Sequence, residues 1–287
     1  MTEVLALLAA LCFGLTHFVN GVVSRTWDGV TVAAVAQVGG TVLSVAAVPL
    51  LPAGDPTAAA LWWGALSGVG TGVGVAYLYR AMSRGPMSVV APVSDVAGVA
   101  IPVVVGVVLL HERPSSLAYT GIAVAFVAIW LVSRKRPDGA TRQRSGRRGG
   151  RRTVAGVPDA LVAGVGIAAH FVAIARIPVD AGPWPITLSR AVSVVVIVAL
   201  VVALGSPARL PWRPASAALL AGGTGTLATI LYWVAVNQGL LTTTTVLTAL
   251  YPVIPVVLAI VFLRERLTPA QVLGLLGAGV AIALVSA

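Results

Sequence analysis

Ten apolar stretches, each close to the length of a bilayer crossing, constrain this chain more than any other feature. They cover residues 4–23, 31–51, 61–82, 87–110 and 115–133, then 154–175, 183–204, 215–239, 242–263 and 268–286. A helix crosses the hydrocarbon core with about 20 residues. Most of these stretches are apolar on all faces, whereas barrel strands alternate over segments of about 10 residues. The expected fold is therefore an all-α membrane protein of ten transmembrane helices. Composition points the same way: 58% of the 287 residues are hydrophobic and 10% charged, against about 45–50% and about 25% in soluble domains. Leu51-Pro52-Ala53-Gly54-Asp55-Pro56, Gly85-Pro86, Arg113-Pro114 and Gly205-Ser206-Pro207 supply the breaks between stretches.

Shifting the sequence against itself by 153 residues brings two halves into register without a gap. His17-Phe18-Val19 falls on His170-Phe171-Val172, Gly70-Thr71-Gly72 on Gly223-Thr224-Gly225, and Tyr79 on Tyr232. Ile101-Pro102-Val103-Val104 falls on Ile254-Pro255-Val256-Val257, Glu112-Arg113 on Glu265-Arg266, and Gly121 on Gly274. Residues 1–133 and 154–287 are read as two five-helix repeats, joined by a basic segment at 134–153. Because five is odd, the second repeat enters the membrane from the opposite side, so the repeats are expected to be inverted. In transporters of that architecture the substrate site lies near the midplane, between the repeats. The first stretch is kept as a helix because its counterpart lies in mid-chain. Glu3 precedes it with no basic residue, unlike a secretory signal.

The net charge of +10 is unevenly placed. Nine of the 19 Lys and Arg residues lie in 134–153, and Arg25, Arg80, Arg84, Arg209, Arg213, Arg264 and Arg266 fall on the same side of the expected topology. Only Arg113 and Arg176 fall opposite. Basic loops favour the cytoplasm, so the central segment is expected there, with both termini outside. That segment, rich in Arg, Gly and Ser, suits anionic lipid headgroups; with no aromatic residue to stack on bases, nucleic acid is not an expected partner.

In each half a proline-containing span closes on a glutamate, followed by a short turn and a glycine-bearing last span: Pro102 to Glu112 to Gly121, and Pro255 to Glu265 to Gly274. With the two five-helix halves, this pattern resembles the drug/metabolite transporter superfamily, in particular its ten-helix EamA-type members, over the whole chain. The resemblance implies export of amino acids, related metabolites or drugs. Members of that family are usually drawn with both termini in the cytoplasm, opposite to the orientation that the basic residues favour here.

Ionisable residues inside apolar spans are costly and default to functional roles. Here they are His17, Asp95, His170 and Arg190. His17 and His170 occupy equivalent depths and are expected to face the inter-repeat cavity, where imidazoles can carry protons; the alternative is a helix-to-helix hydrogen bond. Arg190 aligns with Gln37, and its guanidinium suits a bidentate grip on carboxylate or phosphate; the alternative is an internal ion pair with Asp95 or snorkelling to an interface. Asp95 aligns with Thr248 and could bind an amine or a proton. Tyr79, Tyr232, Trp233 and Asn237 are further cavity candidates. Glu112 and Glu265 face the unfavourable ends of their helix dipoles and are read as structural, offset by Arg113, Arg266 or nearby N–H groups. Pro102 and Pro255, like Pro92 and Pro252, remove helix hydrogen bonds and offer flexing points. Gly64, Gly68, Gly72 and Ala76, partly repeated in Ala221 and Gly225, permit close helix approach.

No phosphate-cradling Gly-rich motif, His-Glu-x-x-His pair or pair of catalytic carboxylates in one span occurs. Cys12 alone can form no intramolecular disulfide. No cofactor or metal is expected, and the chain is not expected to be an enzyme. The reading is a secondary transporter, expected to export small polar or amphipathic metabolites across the cytoplasmic membrane by alternating access, with proton coupling open and a monomeric or homodimeric state. A membrane-embedded enzyme acting on lipid-linked substrates and a channel are the alternatives.

Overall fold

Most helix starts carry their own stop for the unpaired N–H groups of the first turn. The Asp28 carboxylate accepts the Thr31 N–H at 2.9 Å, the Thr57 hydroxyl oxygen that of Ala60 at 3.1 Å, and the Ser115 hydroxyl oxygen that of Ala118 at 3.1 Å. Proline serves at the first positions of two others. The computed structural model describes residues 1–84, 94, 98, 101–103, 105–132, 156–251, 253–254, 258 and 269–286. In the first half these form α1 (Thr2–Ser24), α2 (Gly29–Ala47), α3 (Ala58–Arg84), a π-helical turn (Val105–Leu109) and α4 (Ser116–Val132). In the second they form α5 (Val157–Ala175), α6 (Trp184–Leu204), α7 (Trp212–Val236), α8 (Leu241–Thr248) and α9 (Pro269–Ser286). Among the described residues there is no strand. Among the described residues six helices are long and apolar enough to cross a membrane: α1, α2 with its 3₁₀ extension to Leu50, α3, α5, α6 and α7. Asp95, Pro92, Pro252, Pro255, Glu265 and the segment 134–153 lie outside the described residues.

The helices pack across the two halves as much as within them. α3 lies along α5, and α1 lies along α7. α3 also packs on α6, and α7 on α2, while α2 meets α6 and α4 meets α9. Under the 153-residue offset, each of these contacts maps onto another in the set or onto itself.

Small residues make the approach possible. A Cβ on Gly68 would stand 2.5 Å from the Ser189 carbonyl oxygen, and one on Gly72 would stand 2.8 Å from Val196 Cβ. The stripe Gly64, Gly68, Gly72 thus seats α3 on α6 and does not face the cavity described below. Gly74 and Gly166 do the same for α3 and α5. Buried small residues cost little side-chain entropy, and close packing is the main attraction left between helices in lipid.

The start of α8 differs from the others. Its N-cap position is Leu240, which offers no acceptor. Glu112, 129 residues before Leu241, fills the place: Oε1 accepts the Leu241 N–H at 2.7 Å, and Oε2 accepts the Thr242 N–H at 2.9 Å and its hydroxyl at 2.6 Å. A carboxylate at a helix N-terminus meets both orphan donors and the positive end of the dipole. The π-helical turn after buried Pro102 positions it, because the Glu112 N–H returns to the Gly106 carbonyl at 3.0 Å. At Gly106 a Cβ would stand 2.6 Å from Glu112 Oε2.

Candidate functional site

Side chains three, four, seven and eight apart share one face of a helix. Four helices turn such faces toward a common cavity: Phe13, Thr16 and His17 on α1, Thr71, Val75 and Tyr79 on α3, Ile167, His170 and Phe171 on α5, and Gly222, Gly225 and Thr229 on α7. Ala36 and Gln37 of α2, Arg190 of α6, and Tyr251 complete the lining. The space enclosed, mouth included, is ≈ 590 Å³. Its walls come from the first and third helices of both halves.

Arg190 is the cation of this cavity, with 4% of its surface exposed. Nη1 donates to Gln37 Oε1 at 3.3 Å, and Nη2 donates to the Gly225 carbonyl at 3.2 Å and to the Thr229 hydroxyl. Ser193 Oγ donates to the same Gln37 oxygen at 3.0 Å. Nε is buried without a hydrogen-bond partner among the described residues. No described carboxylate lies within ion-pair distance of the guanidinium; the described side-chain pairs are Asp159 with Arg80, at 3.7 Å, and with Arg84, at 3.3 Å.

The two histidines line the same cavity in different company. His170 Nδ1 lies 2.8 Å from both Ser67 Oγ and Thr71 Oγ1, and Ser67 Oγ lies 3.0 Å from Ser189 Oγ. His17 Nδ1 lies 3.3 Å from the Tyr79 hydroxyl, which also accepts from Asn20 Nδ2 at 3.2 Å. Around His17 stand the rings of Phe13, Tyr79 and Tyr251, with centroids 6.3, 5.9 and 5.1 Å away. The repeated threonines take matching parts: Thr71 reaches His170 on α5, and Thr224 Oγ1 lies 2.8 Å from Thr16 Oγ1 on α1.

Of the residues singled out in the sequence, His17, Gln37, Tyr79, His170, Arg190 and Gly225 line the cavity. Tyr232, Trp233 and Asn237 lie outside its lining. The Tyr232 hydroxyl sits 2.9 Å from Thr245 Oγ1 and 3.3 Å from the Phe171 carbonyl oxygen. Trp233 Nε1 and Asn237 Nδ2 both donate to the Ile177 carbonyl, at 2.8 and 3.0 Å, so they brace the end of α7 against the turn after α5. The hydroxyls of Thr16, Ser67, Thr71 and Thr229 form much of the polar lining and its support; nothing in the sequence sets them apart from the other hydroxyls of the apolar spans. Among the described residues no group of three or more His, Cys, Asp or Glu could hold a metal ion.

A set of apolar crossing helices around an internal cavity that holds a cation, two imidazoles and a ring of hydroxyls defines a multi-pass membrane protein with a polar chamber. Residues 1–134 and 155–287 each match the EamA-like transporter family. The chain belongs to that family, within the drug/metabolite transporters, and is a membrane transporter of that type. One solved crystal structure is similar over 99% of this chain and 95% of its own, with a TM-score of 0.72 and 17% identity, and at that identity the likeness shows the fold alone. No curated protein matches the chain.

Proposed function

We propose that this protein is a secondary transporter that exports small polar or amphipathic metabolites, amino acids or drugs among them, across the cytoplasmic membrane by alternating access. The observation that carries the reading is the exchange of helices around the cavity: the first helix of each half lies along the third helix of the other. Rocking one half against the other then changes the access to a site that both build.

Helix directions support inverted repeats. α3 and α6 run parallel, since Gly68 meets Ser189 and Gly72 meets the Ser193 carbonyl; α3 and α5 run antiparallel, since Gly70 meets His170 and Arg84 meets Asp159. A pair of five-helix repeats, ten spans in all, accommodates both. His17, Gln37, Tyr79, His170 and Arg190 are the proposed substrate-binding residues, with Asp95 a further candidate, and the histidines are the candidates for proton coupling.

The test is flux into liposomes containing the purified protein, with and without an imposed pH gradient, for a panel that spans organic anions, neutral solutes, amino acids and cationic drugs. Saturable uptake with counterflow of at least one of these classes is the expected result. Single-channel conductance without saturation overturns the carrier in favour of a channel. Gradient-driven flux that survives His17→Gln with His170→Gln removes the histidines as proton carriers and leaves the transporter standing.

A further inference from the structure

Arg190 sets a formal positive charge against the cavity, and its described neighbours answer with neutral groups only: an amide oxygen, a carbonyl and a hydroxyl. The described carboxylates are engaged elsewhere or lie outside the cavity. Asp28 caps α2, Glu112 caps α8, Asp159 is held by Arg80 and Arg84, Glu3 meets the terminal amine, Asp55 lies between α2 and α3, and Asp180 sits in a 3₁₀ turn between α5 and α6. A guanidinium at this depth calls for a counter-charge, and its described neutral partners leave one Nη1 N–H and the Nε N–H undonated. The same cavity carries a wall of rings: Phe13, His17, Tyr79, Phe171 and Tyr251, with Phe13 and Phe171 edge to face at 5.9 Å. No described lining residue bears the negative charge that would hold an ammonium.

We infer that the site takes an organic anion, a single carboxylate on an apolar body, with the carboxylate on Arg190 and the body against the rings, and that it disfavours a companion ammonium. This deepens the transport reading and rests on it for the anion's being cargo.

The test is equilibrium binding of radiolabelled 3-phenylpropionate to the purified full chain in detergent, competed with 3-phenylpropanamide, phenylalanine and 3-phenylpropylamine. The expected order is phenylpropionate first, phenylalanine at least about 10-fold weaker, and the amide and amine at least about 30-fold weaker, as befits a charge-assisted contact. Arg190→Gln is expected to weaken phenylpropionate by about 30-fold or more, and Arg190→Lys by less. The competition series needs no variant, so it decides the matter even where Arg190→Gln fails to fold. Absence of saturable binding, equal competition by the amide, or tighter binding of phenylalanine overturns the inference. Asp95 lies outside the described residues; were it the counter-charge of Arg190, the amide would compete equally, which is the overturning result. Binding without flux upholds the site and removes the carrier, whereas saturable flux of neutral solutes with no preference for anions upholds the carrier and removes the site.

Discussion

Gln37 and Arg190 stand 153 residues apart, the offset of the internal repeat, and hydrogen-bond to each other at 3.3 Å. In the proposed arrangement of inverted repeats, a residue that touches its own repeat equivalent stands beside the axis that exchanges the halves. The one break of symmetry at that place, Gln in the first half and Arg in the second, therefore puts a single charge in the middle of the cavity instead of two. Two arginines so close would repel, and two glutamines would leave no charge for a ligand.

Replacing Gln37 separates stability from binding. Gln37→Leu deprives a buried guanidinium of one acceptor and leaves the Ser193 hydroxyl with only its own-helix partner, the Arg190 carbonyl. The expected loss is about 1.5–3 kcal/mol, read as a lowered Tm of the purified protein. Gln37→Glu instead supplies the counter-charge from within. It is expected to keep or raise Tm while abolishing phenylpropionate binding. Retained anion binding in Gln37→Glu would show that the guanidinium is not the anchor.

Glu112 joins the halves at a different place, and its removal is expected to act on stability. Glu112→Ala leaves the Leu241 and Thr242 N–H groups without their acceptor, at a cost of about 1–2 kcal/mol. Glu112→Gln retains one acceptor oxygen and loses the charge at the dipole, so it should fall between. Thermal unfolding in detergent checks the order wild type, Glu112→Gln, Glu112→Ala.

The contrast between what the sequence reveals and what it hides has physical causes. Long helices are legible because an apolar run must be long to cross and its breakers are strong; even so, α3 starts at Ala58 and is helical through Arg84, beyond the expected 61–82, with Thr57 capping its start and Arg80 and Arg84 meeting Asp159. Arg190 and the histidines are legible because a charge or an imidazole stands out in an apolar span. Thr16, Ser67, Thr71 and Thr229 are not, since hydroxyls bond to their own helix carbonyls at little cost, as Thr71 does to Ser67 at 2.9 Å. The face of α7 is equally hidden: the helix is apolar all round, so nothing in it says that Thr229 turns to the cavity while Trp233 and Asn237 turn to Ile177. The partner of Glu112 lies 129 residues away, beyond any local pattern.

Glycines divide into those the packing needs and those it does not. A methyl group on Gly222 would run into the Ala36 carbonyl, whereas one on Gly279 would meet nothing within 4 Å. Gly222→Ala is expected to force α2 and α7 apart and to lower the yield of monodisperse protein on size-exclusion chromatography. Gly279→Ala is expected to be neutral or stabilising by up to about 1 kcal/mol, the helix propensity difference. Equal behaviour of the two variants would mean that the α2–α7 contact is not close-packed.

Arg80 and Arg84 on the last turns of α3 reach Asp159 on the first turn of α5, which follows the basic segment 134–153. The positive charges at the end of α3 thus lie beside the start of α5, and the distribution of basic residues along the sequence leads us to expect that end in the cytoplasm. An alkaline phosphatase, which folds only outside the cytoplasm, is expected to be active when fused after Ala287 and inactive when inserted after Ser145. The reverse pattern would turn the protein over. The Asp159 ion pairs would then lie toward the outer side instead of the inner one, and the contacts of Arg190 with Gln37, Gly225 and Thr229 would be unchanged.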